Sequence, residues 1–369
     1  MTVDHNGADV TSVHIVGSGL IGASIGLALS ATGVDVTLED ANPVNAAAAL
    51  GRGAGRSSVA GDDAATHAQV VVVAVPPRYV VQAVLGIQSL NLNATFMDVA
   101  SVKSGLIAEA ETRGVDMARF VPTHPIAGRE RGGPLNARSD LFEGRSWAVT
   151  AGRNTQPDHI RRTEWVIAAC GGRPVNLSAG EHDAAMALVS HLPQIVASAL
   201  AAELVGASFD VALLAGQGLR DSTRIAESDP QLWSDIVTAN AAEIAPLVDR
   251  IRRQLDGVAT ALRSGDPRPA VERLVMEGQL GRSRVGATHG RPLVPVDVVS
   301  VLLRDTPGEL ARIFLALRDA DVNVDDLRID HAPGQPVGVL ELVVAHEAGK
   351  NAVAALGDWE ALVTRSTSR

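Results

Sequence analysis

The run Gly17-Ser-Gly19-Leu-Ile-Gly22 follows directly on the β-branched stretch Val13–Val16 and opens a segment of helical composition. Three glycines spaced in this way between a strand and a helix leave few folds open. The first allows the tight turn, the second lets a ligand approach the backbone, and the third lets the helix close on the strand. The helix N-terminus then offers unpaired amides to a pyrophosphate. Gly17, Ser18, Gly19, Leu20, Ile21 and Gly22 are the expected dinucleotide-contacting residues; Gly26, one turn further on, is expected to serve packing only. The next strand, Asp35–Leu38, ends in Glu39-Asp40. Asp40 stands about where an acidic ribose ligand is expected, with Glu39 as the competing candidate. A carboxylate there repels a 2′-phosphate, and Ala41-Asn42-Pro43 brings no arginine, which favours NAD over NADP. Val75 and Pro76, in Val73-Ala-Val-Pro76-Pro77, end a further strand and either line the cofactor with backbone or form a plain turn.

Strand and helix patterns alternate through the first half. Val13–Val16, Asp35–Leu38, Gln69–Val75, Thr95–Asp98, Arg119–Pro122, Ser146–Thr150 and Pro174–Leu177 read as strands, several of them apolar at successive positions as doubly covered strands are. Leu20–Thr32, Arg78–Gly86 and Asp158–Cys170 read as helices. The fold class is therefore α/β, with a Rossmann-type doubly wound parallel sheet over residues 1–177. From Ser178 the strand signal fades. Ser178-Ala-Gly-Glu181 is a capping box, and helices are expected over 180–205, 207–218, 230–263 and 266–280, the first kinked at Pro193 and a later one at Pro246. Residues 178–281 read as an all-helical domain and 282–294 as a linker rich in Gly, Pro, Arg and Ser. Residues 295–369 read as a small α+β unit. It comprises a strand Val296–Leu303, a helix starting with a capping box at Thr306-Pro-Gly-Glu309, strands Asn323–Ile329 and Val337–Val344, and a second helix from Asn351.

Composition narrows the function classes. A chain of 369 residues with 46% hydrophobic and 20% charged residues buries a sizeable core. Its net charge of −10 argues against a nucleic-acid binder and against a polybasic membrane-surface protein. The single cysteine, Cys170, excludes a disulfide framework and a CxxC metal site, and fits a reducing cytoplasm. Met1–Val10 carries two Asp and no Lys or Arg, unlike a signal peptide.

Most of the ten histidines sit in exposed-looking contexts. His124 differs. It follows the strand Arg119–Pro122 in Thr123-His124-Pro125-Ile126-Ala127-Gly128, a stiff segment at the carboxyl edge of the sheet, where a general base can take a hydroxyl proton as hydride leaves. A structural loop histidine is the plainer alternative. Ser101 and Lys103, in Asp98-Val-Ala-Ser101-Val-Lys103, face the same edge; the serine could orient a substrate hydroxyl, and the lysine could touch an anion or be a surface charge. His191 and Gln194 sit in Ser190-His191-Leu-Pro193-Gln194 at the expected kink. Arg220 and Arg224 lie in an irregular stretch ending at Trp233, and arginine suits bidentate carboxylate recognition, with local pairing to Asp221 as the alternative.

Taken in order, GSGLIG, DVASVK, THPIAGRE, SHLPQ and DSTRIAESDPxxW resemble the prephenate/arogenate dehydrogenase family over roughly residues 12–281. Asp305-Thr-Pro-Gly308-Glu-Leu-Ala-Arg-Ile resembles the start of an ACT regulatory domain. The resemblance implies NAD-dependent oxidative decarboxylation of prephenate to 4-hydroxyphenylpyruvate in tyrosine biosynthesis. His124 would be the general base, with Ser101 bonding the substrate hydroxyl and holding His124. Arg224 would clamp a carboxylate, and His191 would line the pocket. It also implies a homodimer formed through the helical domain and an amino-acid effector near Asp305–Gly308. Many prephenate-using members read HLPH where this chain has Gln194, which keeps arogenate open as the substrate. Two rivals stand beside this reading: a β-hydroxyacid dehydrogenase using a helix lysine, and a non-catalytic sensor of NAD and an amino acid.

Overall fold

The computed structural model describes residues 10–58, 64–90, 93–128, 132–208, 210, 213–285, 295–331 and 337–368. The chain divides into two compact units, Met1–Ala259 and Thr260–Arg369.

The first unit is built on a six-stranded parallel sheet. Its strands are β1 (Ser12–Val16), β2 (Asp35–Glu39), β3 (Arg56–Ser57), β4 (Val70–Val73), β5 (Thr95–Asp98) and β6 (Phe120–Val121), in the order β3-β2-β1-β4-β5-β6. Valine suits the central strand because both faces are covered. Val70 and Val72 enter one core with α1 (Leu20–Ala31) and α6 (Pro157–Ala169). Val71 and Val73 enter the other with α4 (Pro77–Gln88) and α5 (Ser104–Thr112). Short helices α2 (Pro43–Gly51) and α3 (Ala64–His67) link β2 to β3 and β3 to β4; these, α5 and β3 lacked a clear signal in the sequence.

Two expected strands do not join that sheet. β7 (Thr123–Pro125), β8 (Ser146–Val149) and β9 (Arg173–Asn176) form a separate three-stranded sheet, with β7 and β8 antiparallel and β8 and β9 parallel. The chain turns out of β6 at Pro122, which has no amide to continue a ladder, and Thr123–Pro125 pairs instead with Val149–Trp147. His124 therefore sits on a short strand and not in a loop.

The helical region starts as expected at the Ser178 capping box, with α7 (Ala179–Met186). A π-helical turn, Ala187–His191, precedes α8 (Leu192–Ala202), so the proline at 193 falls in the first turn of a new helix and the irregularity lies just before it. The run Ala179–Ala202 is long and apolar enough to cross a membrane by length and composition alone. Its buried His182, Asp183 and His191 are hydrogen-bonded to neighbouring elements, as in a packed helix. Within the expected helix over 207–218, Asp210 and Leu213 are helical and residues 209, 211 and 212 lie outside the described residues; a further helix runs over Gln217–Thr223, and the expected 230–263 helix is broken at Asn240 into Pro230–Ala239 and Ala241–Ser264. Of the expected linker, Arg282 and Ser283 finish the helix Arg268–Ser283, and residues 286–294 lie outside the described residues.

The second unit contains an antiparallel sheet in the order β11-β12-β10-β13, from β10 (Pro295–Arg304), β11 (Asp326–His331), β12 (Val337–Ala345) and β13 (Leu362–Ser368). Helices Glu309–Asp319 and Gly349–Ala355 supply Ile313, Leu317 and Ala352 to its core, giving a β-α-β-β-α-β order whose last strand the sequence reading lacked. The capping box at Thr306 does not form. Gly308 adopts a left-handed φ of 88° and starts the helix at Glu309, whose carboxylate accepts from Trp359 Nε1 at 2.7 Å and Arg312 at 2.9 Å.

Gly26 faces the backbone of Ala54 so closely that a Cβ would overlap its carbonyl oxygen. Gly26→Ala is expected to cost about 1–3 kcal/mol of overpacking, net of the roughly 1 kcal/mol alanine gains in a helix. A urea denaturation curve measures it, and an unchanged midpoint contradicts the packing role.

Candidate active site

The glycine turn, Asp40, Ala74–Val75, the 98–103 turn and His124 all follow carboxyl ends of neighbouring strands, the edge where ligands bind in such sheets. Gly17 has φ 97°, and a Cβ there would strike the carbonyl of Ala74, so the turn is pressed against the end of β4. A Cβ on Gly22 would strike Gly17 O, whereas one on Gly19 meets nothing within 4 Å. Two glycines thus serve close packing, and the middle one borders open space beside the start of α1. That helix has no side-chain cap, which leaves its first amides free for an anion. The cradle fits a pyrophosphate. Asp40 accepts from Ser18 N at 2.7 Å and Ser18 Oγ at 2.9 Å, and its other oxygen accepts from Asn42 N at 2.8 Å. Its carboxylate is fixed beside the glycine turn. Glu39 instead approaches buried His14 at 3.6 Å, and this interaction outweighs the opposing effect of burial and holds its carboxyl below the usual range. Of the two acids, the structure places Asp40 against the loop.

The Asp98–Lys103 turn is organised by a buried ion pair. Lys103 Nζ lies 2.5 Å from Asp98 Oδ1, and both side chains are fully buried. Burial opposes both charges, pushing the aspartate up and the lysine down. Asp98 also accepts from Ala100 N at 2.8 Å and Thr123 N at 3.3 Å, and its carbonyl accepts from Thr123 Oγ1 at 2.5 Å. It therefore ties the turn bearing Ser101 to the strand bearing His124. Lys103 is therefore not a surface charge; the carboxylate it touches is that of Asp98. Ser101 is half-buried on this turn.

His124 is half-buried, and its Nδ1 lies 3.0 Å from His182 Nε2. His182 Nδ1 lies 2.8 Å from Asp183 Oδ1. Asp183 also accepts from Lys103 N at 2.9 Å and Ser104 N at 2.7 Å. Burial works against its charge, but the bonds from His182, Ser104 and Lys103 prevail and bring the carboxyl down to about 2. Burial lowers His124 well below the usual imidazole range, and the neighbouring Lys103, His182 and His191 lower it further, against an upward pull from Asp183. His124 is thus neutral at pH 7, as a base requires. The side chain that bonds His124 is His182; among the described residues Ser101 makes no bond to it.

His191 is buried in the π-helical turn. Asn240 Nδ2 lies 3.1 Å from its Nδ1 and donates to Asp183 O at 2.9 Å, and Trp233 stacks edge-on at 6.0 Å. Gln194 is buried. It donates to Ser198 Oγ and accepts from Ser228 Oγ, each at 3.3 Å. Arg224 lies in a 3₁₀ turn, Arg224–Ala226, packed against α8. Arg129 and Glu130, which end the THPIAGRE run, lie outside the described residues.

The sequence reading missed Asp98, His182, Asp183 and Asn240. The only hint was adjacency: His182 and Asp183 follow the capping Glu181, a position explained by the helix start. His14, His159 and His182 are buried, contrary to the exposed reading of most histidines.

Removing one partner of the Lys103–Asp98 pair leaves a buried charge, so Lys103→Met is expected to destabilise by about 3–5 kcal/mol. Chemical denaturation measures this, and a loss below 1 kcal/mol contradicts a structural role for the pair.

The geometry agrees with the comparisons. Residues 25–176 match the family model of the prephenate dehydrogenase nucleotide-binding domain, and residues 178–276 match that of the prephenate dehydrogenase dimerization domain. A probable prephenate dehydrogenase of Streptomyces niveus is 33% identical over 91% of this chain and 95% of its own length. The crystal structure of Aquifex aeolicus prephenate dehydrogenase, in complex with hydroxyphenyl propionate and NAD+, superposes with a TM-score of 0.66 at 27% identity, covering 75% of this chain and 98% of that one. Synechocystis arogenate dehydrogenase gives 0.61 at 25% identity, over 74% and 99% of the two chains. With the nucleotide cradle, the neutral histidine at the sheet edge and relatedness over nine-tenths of its length, the chain belongs to the prephenate dehydrogenase family.

Proposed function

We propose that the chain catalyses the NAD-dependent oxidative decarboxylation of prephenate to 4-hydroxyphenylpyruvate, in a cytoplasmic setting. The observation that carries the reading is His124, desolvated and neutral at the carboxyl edge of the sheet that also bears the dinucleotide cradle. NAD held in the cradle would supply the hydride acceptor for the ring carbon that carries the hydroxyl. His124 removes the hydroxyl proton as that carbon becomes a carbonyl. Arg224 holds a substrate carboxylate, and Ser101 orients the hydroxyl. Loss of the ring carboxylate as CO2 leaves its bonding pair to aromatise the ring, and the phenolate oxygen takes the proton back from His124. Gly17–Gly22 would seat the cofactor's pyrophosphate, Val75 and Pro76 would border it, and Asp40 would accept from the ribose hydroxyls.

The helical segment is proposed to form a homodimer. Val196, Leu200 and Leu204 recur at four-residue spacing along α8 and just beyond it, and all three are exposed, an apolar stripe of the kind that marks an interface. The C-terminal unit is proposed to be an ACT-like module taking an amino-acid effector near Asp305–Gly308.

Reduced-nicotinamide formation is measured with prephenate and arogenate, each with NAD and with NADP. Prephenate with NAD is expected to be the productive pair, and His124→Asn to lower kcat by about 10²–10⁴-fold. Turnover of arogenate alone reassigns the substrate, and turnover of neither overturns the reading. Because the histidine pKa is lowered, the neutral base persists down to that lowered value. The acid limb of kcat/KM is therefore expected below 6.5, and a limb at or above that value contradicts the neutral-base assignment. Light scattering on the eluting protein is expected to give twice the mass of one chain, and Val196→Asp with Leu200→Asp to give one.

A further inference from the structure

We infer that His182 and Asp183 form a hydrogen-bonded relay that fixes which nitrogen of His124 takes the substrate proton and then carries the resulting charge away from that ring. The inference deepens the proposed dehydrogenase reading and rests on it for the identity of the base.

The argument starts at Asp183. Its two oxygens receive the amides of Lys103 and Ser104 and face His182 Nδ1. An ionised carboxylate only accepts, so His182 Nδ1 carries a hydrogen. With the ring neutral, His182 Nε2 holds a lone pair. That lone pair lies 3.0 Å from His124 Nδ1, so His124 Nδ1 carries the hydrogen of that bond. The lone pair of His124 is then on Nε2, the nitrogen pointing away from the relay. Each tautomer follows from the bond made by the other ring nitrogen.

The same bonds provide a path for charge. When the substrate O–H bond breaks, its proton bonds to His124 Nε2. The Nδ1 proton of His124 can pass to His182 Nε2, which returns His124 to neutrality. The positive charge then rests on His182, 2.8 Å from the Asp183 carboxylate. The reverse transfers return the proton to the phenolate oxygen, so no proton is gained or lost. The surroundings favour this displacement. His124 is faced by Lys103 from the turn before α5, by His182 and Asp183 from α7 and by His191 from the π-helical turn, and Lys103 is itself paired with Asp98. Of these groups, Asp183 is the anion bonded to the relay. Its three hydrogen bonds hold it in place, and Asn240 fixes its main-chain carbonyl at 2.9 Å. His182 and Asp183 are thus positioning residues acting through His124.

Two measurements test the relay. In the free protein labelled with ¹⁵N-histidine, long-range ¹H–¹⁵N spectra report the tautomers, assigned with His124→Asn and His182→Gln. His124 and His182 are both expected to be protonated at Nδ1, and His182→Leu to release His124 to the Nε2–H form. A wild-type His124 protonated at Nε2 overturns the inference. In kinetics, His182→Leu is expected to lower kcat on the order of 10²-fold with KM little changed. His182→Gln keeps an acceptor towards His124 and a donor towards Asp183 but cannot carry the charge, and is expected to recover on the order of tenfold of that loss. A loss confined to KM, equal loss in the Leu and Gln variants, or wild-type kcat in the Leu variant overturns it. If the wild-type protein oxidises neither substrate, the enzyme reading fails by itself, while the spectra still decide the tautomers.

Discussion

The site depends on the carboxylate of Asp183. A buried carboxylate costs several kcal/mol unless its lone pairs are filled, and here the donors come from different parts of the chain. Lys103 N and Ser104 N lie at the start of α5, while His182 is its neighbour on α7. One side chain therefore pins the first helix of the helical region to the edge of the parallel sheet and presents a histidine towards His124. The carbonyl of the same residue accepts from Asn240, which also reaches His191. The break between the helices Pro230–Ala239 and Ala241–Ser264 falls at this asparagine, so an interruption in the helical pattern has a use.

The Asp98–Lys103 pair performs the companion task on the sheet side. It holds the turn that carries Ser101, and through Thr123 it holds the strand that carries His124. Trp147 Nε1 donates to Thr123 Oγ1 at 2.9 Å, so the strand is also braced from β8. Two acids, each satisfied by backbone amides as well as by a side chain, set His124 from opposite sides. The lysine cation also lowers the proton affinity of His124. Stability and basicity are thus set by the same groups.

How far the sequence could be read follows from the range of each signal. The glycine turn and Asp40 were legible because their constraints are local: a strand, a tight turn, a helix and an acid one strand later. His124 stood out because prolines flank it. Its short strand did not show, since leaving one sheet for another depends on partners at Ser146–Val149, far along the chain. His182 and Asp183 were hidden because Glu181 already explained the segment as a helix start, and nothing local says that the next two residues face a sheet edge 80 residues earlier. The capping box read at Thr306 was outcompeted by distance as well: Glu309 found Trp359, and the left-handed Gly308 moved the helix start.

The same reasoning bears on substrate choice. Gln194 has a neutral amide where many prephenate-using relatives are expected to carry histidine. That amide is engaged on both sides, donating to Ser198 on its own helix and accepting from Ser228. Ser228 lies four residues after Arg224, and its single hydroxyl hydrogen is shared between Ile225 O at 2.7 Å and Gln194 Oε1 at 3.3 Å. Gln194 thus helps to hold the segment that presents the arginine. Any influence of position 194 on keto against amino side chains then runs in part through the placement of Arg224 and not only through direct contact. An imidazole at 194 has a different reach and different donors, so exchanging the two residues shifts the segment that bears Arg224, the proposed carboxylate clamp.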